Sequence, residues 1–286
     1  MPSGQIHRRS ARELAIMREA GRIVAETFGE VAKVMRPGVS TRELDKVVEA
    51  AIRRRGGEPL FKGYRGFPAA SCISINEEVV HGIPRKGRIL REGDVVSVDL
   101  GVRYKGYCGD AAVTFAVGSI SAEAERLLRV CRQALYRGIE AARPGNRLSA
   151  IGGAIQTVAE QAGFGVVRRF VGHGIGTTLH EAPQVPNYVD DEVLKHDIEL
   201  QSGMVLAIEP MLTEGTYEVE DQPDNWTIVT ADRRLAAHYE HTVAIREEGP
   251  EILTPWEEEI DRAGASGNIG LFKQTESHAE GRANTG

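Results

Sequence analysis

Apolar residues recur at helical spacing in four stretches of this chain, and at strand-like spacing in six others. The clearest helix opens at Ser10, in SARELAIMREAGRIVAETFGEV, where Leu14, Met17, Gly21, Val24, Phe28 and Val31 share one face. Ser10 followed by Glu13 makes a capping box, in which each side chain satisfies a free backbone N–H of the other's turn. A second helix follows Pro37-Gly38, with Ser40 and Glu43 as its box and Leu44, Val47, Val48, Ala51 and Ile52 inward. A third is predicted over about 121–142 and a fourth over about 148–161. The β-rich runs are 70–75, 95–104, 107–117, 205–208, 227–230 and 238–246. After Trp256 the apolar period is lost. The pattern predicts a short arm over 1–9, one folded domain over 10–256 and a flexible tail over 257–286.

The chain carries a diverged internal duplication. Arg36-Pro-Gly and Arg143-Pro-Gly each precede an amphipathic helix, with Leu44 matching Ile151 and Val48 matching Ile155. His81-Gly-Ile is matched to His173-Gly-Ile, LREGDVVSVD ending at Asp99 to LQSGMVLAIE ending at Glu209, and Asp110-AAVTF to Glu240-HTVAI. The shared order is what makes these short matches significant. Two halves related by an approximate two-fold would bring Asp99 against Glu209 and Asp110 against Glu240, with a His-Gly-Ile histidine from each half.

Composition narrows the class without choosing a function. The net charge of −6 argues against non-specific nucleic-acid binding. No apolar run is long enough to span a membrane, and the N-terminal stretch has no apolar export core. Cys72, Cys108 and Cys131 form an odd set without a CxxC pair, which fits a reduced, cytoplasmic protein.

Asp99 interrupts a valine run in VVSVDLGVRY, where an uncompensated carboxylate is costly. Asp110 follows the turn KGYCGD, so a hairpin can return it beside Asp99. A strand-end position, or an ion pair with Arg91 or Arg103, would also account for Asp99. Glu209 in VLAIEP and Glu240 in AHYEHTVAI each read singly as surface or hydrogen-bonded groups. Together, four carboxylates at repeat-related positions favour a metal centre. Two divalent ions would cancel their charge and leave room for a bridging hydroxide. One imidazole from His173 would complete an oxygen-rich set suited to Mn, Fe or Co at least as well as Zn. His180 and His81 could reach the same cavity, or serve as ordinary loop histidines.

The order Asp99, Asp110, His173, Glu209, Glu240, together with CISINEEVVHGIP, GHGIGTTLHEAPQVP and SGMVLAIEPM, resembles the short bacterial type I methionine aminopeptidases, from about Ser10 to Leu253. The resemblance implies an α+β pita-bread fold, with two pseudo-two-fold-related halves and a curved antiparallel sheet flanked by helices. It implies hydrolysis of the first peptide bond of nascent chains and peptides that begin with methionine and a small second residue. The expected cofactors are two divalent ions (Co, Mn, Fe, Ni or Zn) on Asp99, Asp110, His173, Glu209 and Glu240, bridging a water or hydroxide. Glu209 would accept its proton, His180 would hydrogen-bond the scissile carbonyl, and His81 would contact the substrate near the departing amine.

By the same resemblance, Tyr64, Phe67, Cys72, Leu179 and Trp226 line the methionine slot, although each alone would read as core packing. Leu179 stands where phenylalanine is frequent and Arg65 where histidine is frequent, which is expected to alter pocket width and the grip on following residues. A monomer, with transient ribosome contact through the nascent chain, fits this class. The competing readings are a proline-directed peptidase of the same superfamily and a non-catalytic pita-bread binding protein; the complete ligand set argues against the second.

Overall fold

Both capping boxes form. Ser10 and Glu13 close the start of α1 (Ala11–Val34), and Ser40 and Glu43 that of α2 (Thr41–Arg54). The computed structural model in which they are seen describes residues 4–263. After β1 (Glu58–Pro59) and a 3₁₀ turn at Tyr64–Gly66 come β2 (Ser71–Ile75) and β3 (Glu78–Val80). The long hairpin β4 (Val95–Tyr104) and β5 (Tyr107–Ala116) completes the first half. β5 takes one edge of β4, while β1 and β2 share the other.

The second half repeats this plan with more insertions. It begins with α3 (Ala122–Ala141) and α4 (Ser149–Gln161), then β6 (Gly165–Val166), β7 (Gly172–Gly174), β8 (Glu181–Val185) and the short α5 (Asp191–Lys195). β9 (Val205–Ile208), β10 (Met211–Thr213), β11 (Val219–Asp221) and β12 (Ile228–Thr230) follow. β13 (Ala236–His238), β14 (His241–Arg246), β15 (Gly249–Ile252) and α6 (Trp256–Arg262) end the described chain. The main sheet here runs β15-β14-β9-β7-β8, antiparallel throughout. No described helix is long and apolar enough to cross a membrane.

The duplication is visible in the backbone. Gly38 and Gly145 both take positive φ (88° and 86°), and their N–H groups donate to Leu90 and Leu200, each at 2.9 Å. Only a residue without Cβ takes that conformation cheaply, which is why Arg-Pro-Gly recurs. One element of the alignment fails. Ser74 pairs with Ser97 where His173 pairs with Ala207, so the register equates His173 with Ser74, and the two His-Gly-Ile segments occupy different places.

The two halves are stitched where β5 meets the start of β14, through the Thr242 side chain and the main chain. Thr242 Oγ1 accepts from Asp110 N at 3.0 Å and donates to Asp110 O at 2.8 Å, while Glu240 N donates to Ala112 O at 2.9 Å. Apolar residues from Ile23 to Ile260 form one buried core beneath both halves.

Two expectations change. The run 238–246 is not one strand, because Tyr239 and Glu240 leave the ladder between β13 and β14. Their amides turn to Pro210 O and Ala112 O, and the exchange of partners aims the Glu240 side chain into the interior. The expected tail also begins with structure: α6 buries Trp256 and Ile260, and Trp256 Nε1 donates to Glu240 O at 3.1 Å. Residues 264–286 of that tail, and 1–3 of the arm, lie outside the described residues.

Candidate metal centre

The β4–β5 hairpin sets the first two carboxylates. Asp99 pairs with Ala112 and Asp110 with Gly101, two positions along, so both side chains leave the same face. Glu209 directly follows β9, just before Pro210, which has no N–H to continue the ladder. Glu240 sits at the β13–β14 break. His173 is the middle residue of β7, a buried strand absent from the β-rich runs of the sequence. Its neighbours show why glycine stands on either side: a Cβ at Gly172 would strike Ala207 O, and one at Gly174 would strike Ala182 O. These glycines permit close strand packing and are not loop residues.

These elements bring the groups together. Asp110, His173 and Glu240 each offer a ligand atom within 4.8 Å of the others. His173 Nε2 lies 3.6 Å from Glu209 Oε1 and 3.9 Å from Asp110 Oδ2. Its Nδ1 is 2.9 Å from Gly174 O. A carbonyl only accepts, so Nδ1 carries the hydrogen and the Nε2 lone pair faces the carboxylates. Burial pushes the His173 pKa down to about 3, keeping the ring neutral.

The carboxylates are in electrostatic conflict. Burial, then mutual repulsion, raises Asp99, Glu209 and Glu240 well above the usual range, and burial pushes Asp110 up to about 8. Among the described residues their ion-pair contacts are to histidines, with no Lys or Arg partner; Arg103 instead donates to Thr177 O. Asp99 Oδ1, Asp110 Oδ1 and Glu240 Oε1 are buried without hydrogen-bond partners. Partnerless buried carboxylate oxygens around one imidazole lone pair fit divalent cations.

A cavity of about 370 Å³ opens beside these groups. Tyr64, Phe67, Cys72, Leu179, Trp226, His81 and His180 all line it. Phe67 and Trp226 meet edge to face, with centroids 5.0 Å apart. Cys72 is the cross-strand partner of Asp99, so the apolar wall begins directly beside the carboxylates. Burial and then the Asp99 charge push its thiol up, leaving it an inert wall group. His180 stands at the exposed mouth, its ring 4.3 Å from that of His173 and its Nδ1 2.8 Å from Tyr64 Oη. His81 takes φ 62° and turns its ring onto the edge of Phe170 at 5.4 Å.

The model of metallopeptidase family M24 matches residues 15–247. A methionine aminopeptidase of Clostridium acetobutylicum is 53% identical over 242 residues, covering 85% of this chain and 96% of that protein. The chain belongs to metallopeptidase family M24. Within the family it groups with the methionine aminopeptidases. The crystal structure of the Thermotoga maritima methionine aminopeptidase superposes with a TM-score of 0.84 at 44% identity, covering 87% of this chain and 99% of that one. Prolidase from Pyrococcus furiosus, at 23% identity and a TM-score of 0.68, shares the fold. Membership of a metallopeptidase family agrees with the cation-binding character of the cluster.

Sequence analysis missed one titratable residue beside this cluster. His238, buried at the end of β13, places Nε2 3.6 Å from Glu209 Oε2 and lines the cavity. That nitrogen has no hydrogen-bond partner. The signal was available, because His238 precedes Glu240 by two residues, the spacing that puts both on one side of extended chain.

Proposed function

We propose that this protein removes the N-terminal methionine from nascent proteins and peptides whose second residue is small, using two divalent ions held by Asp99, Asp110, His173, Glu209 and Glu240. The observation that carries this reading is the set of partnerless buried carboxylate oxygens beside the His173 lone pair, at the head of an apolar slot. Ions bound there would supply Lewis acidity and water acidified enough to act as a nucleophile near neutral pH.

The chain's own residues do the rest. Phe67, Cys72, Leu179 and Trp226 enclose a long unbranched thioether side chain, and Cys72 and the aromatic rings offer it polarizable contacts. Glu209, which lines the cavity beside the other carboxylates, takes the proton released when water attacks. His180 is kept neutral by the enclosing walls and by Arg65, and it donates a hydrogen bond to the scissile carbonyl as charge develops on oxygen. His81, fixed between Phe170 and Trp226, faces the leaving amine. The three free, buried cysteines support action in a reducing cytoplasm, on chains emerging from the ribosome.

The test is peptide cleavage by metal-stripped protein titrated with Mn, Fe, Co, Ni and Zn. Metal-dependent release of Met from Met-Gly-Met-Met, with no cleavage of a Xaa-Pro peptide lacking methionine, is the expected result. Preference for the Xaa-Pro peptide would move the protein to the proline-directed branch of the fold.

A further inference from the structure

The segment from Gly176 to Glu181 carries Leu179 and His180 to the cavity, and it is held from behind by the N-terminal arm. Glu181 is the link. Its Oε1 accepts from Thr177 N at 2.8 Å and Thr178 N at 3.1 Å, which closes the loop on itself. Its Oε2 pairs with Arg9 Nη2, and both side chains are nearly sealed, at 7% and 9% exposure. The guanidinium also occupies the space beside Gly176 where a Cβ would stand. The arm is fixed in turn: Arg9 N donates to Gly203 O at 2.6 Å and Arg8 Nε to Ser202 O at 2.7 Å. Arg9 is absent from the cavity lining.

We propose that Arg9 is a positioning residue for His180. The buried Arg9–Glu181 pair clamps the loop against the arm, so that His180 is presented to the substrate carbonyl at a fixed distance from His173. In front, the hydrogen bond to Tyr64 is the side-chain restraint on the imidazole. Behind, the restraint is ionic and shielded from water, so it resists the outward movement that an exposed loop would otherwise make. Removing one partner leaves a buried charge unpaired, which the loop relieves by opening to solvent. Metal-binding groups belong to β4, β5, β7, the residue after β9 and the β13–β14 break, and none lies between 176 and 181. The clamp therefore governs the carbonyl contact and not metal loading.

The inference rests on the role given to His180 above, and a double-mutant cycle in the metal-loaded full chain separates the two. Arg9→Ala is expected to lower kcat for Met-Gly-Met-Met by about tenfold to a hundredfold, as small misplacements of catalytic groups do. KM should stay within about twofold, and Mn affinity by calorimetry should be unchanged. In the His180→Ala background the same substitution should have no further effect on kcat. Arg9→Lys keeps the charge that holds the fold but loses the planar fork. It should show a smaller kcat loss that also vanishes with His180→Ala, and it answers the question if Arg9→Ala does not fold. An equal loss with and without His180, loss of Mn binding, or unchanged kcat in both Arg9 variants would overturn the clamp. Unchanged kcat in His180→Ala itself would remove the role of His180, and the clamp with it.

Discussion

The Glu209 carboxylate lies between two imidazoles, with His173 Nε2 3.6 Å from Oε1 and His238 Nε2 3.6 Å from Oε2. His173 presents a lone pair, whereas His238 is buried with no other partner for that nitrogen. With Nε2 protonated, His238 can orient the carboxylate from behind. His238→Ala should therefore weaken Mn binding by about tenfold to a hundredfold, as loss of an outer orienting group does. His238→Gln, which keeps a donor, should retain most of the affinity. Calorimetric titration of both variants checks this; wild-type affinity in His238→Ala would remove the residue from the centre.

Much of the site is legible in the sequence because its signals are local. Capping boxes at Ser10 and Ser40 announce their helices, and carboxylates in apolar runs announce a charge that needs a counter-ion. What escapes is set by tertiary exchange of partners. The chain from Ala236 to Arg246 is uniformly strand-like, yet Tyr239 and Glu240 leave the ladder because their amides find Pro210 O and Ala112 O instead. The GHG at 172–174 looks like a loop until Ala207 and Ala182 crowd it from both sides. Arg9 and Glu181 are 172 residues apart, and nothing in either neighbourhood predicts their pairing.

The metal-free protein should lose stability as pH rises from about 6.5 to about 8. Asp110 is pushed up to about 8 and Asp99, Glu209 and Glu240 are raised, so the folded state keeps protons that the unfolded chain has released. Glu257, raised to about 7, adds in the same direction. Histidines oppose them at lower pH: His173, His238 and His241 are pushed down to about 3 and His81 to about 4, so below about 6.5 the unfolded chain binds the extra protons. As pH rises past 6.5 the unfolded imidazoles lose their protons as well, and the carboxylates come to set the slope. At about 1.4 kcal/mol per pH unit per proton, the loss is on the order of 2 kcal/mol for each carboxylate still protonated. Saturating Mn or Co should flatten the slope by holding the carboxylates ionised. Thermal melts with and without chelator across this range decide it, and a flat or rising metal-free profile would contradict the electrostatic picture.

His173 and His180 lie 4.3 Å apart, ring to ring, yet should fail in different ways. His173→Ala removes an imidazole lone pair aimed at the carboxylates, so metal binding and activity should fall together. His180→Ala leaves the ligands intact and should lower kcat by about a hundredfold to a thousandfold, the usual cost of losing one donor to a developing oxyanion. Calorimetry beside steady-state kinetics separates them. If His180→Ala also loses metal, the division between ligand and carbonyl donor is wrong.

Leu179 tests the slot. It is 3% exposed and packs in the cluster that contains Phe61, Phe67 and Cys72, one residue before His180. Leu179→Ala removes about three carbons from the cavity wall. At about 0.8 kcal/mol per buried CH₂, the full loss is roughly 2 kcal/mol, a factor of about thirty in kcat/KM for a methionyl peptide. A peptide with N-terminal phenylalanine needs the vacated volume, so its kcat/KM should rise or fall far less. The informative quantity is the ratio of the two, because a general loss of stability lowers both alike. A ratio shifted towards phenylalanine by tenfold or more places Leu179 in the specificity pocket. An unchanged ratio with a lower melting temperature assigns it to the core instead, and the selection of methionine would then have to come from Phe67 and Trp226.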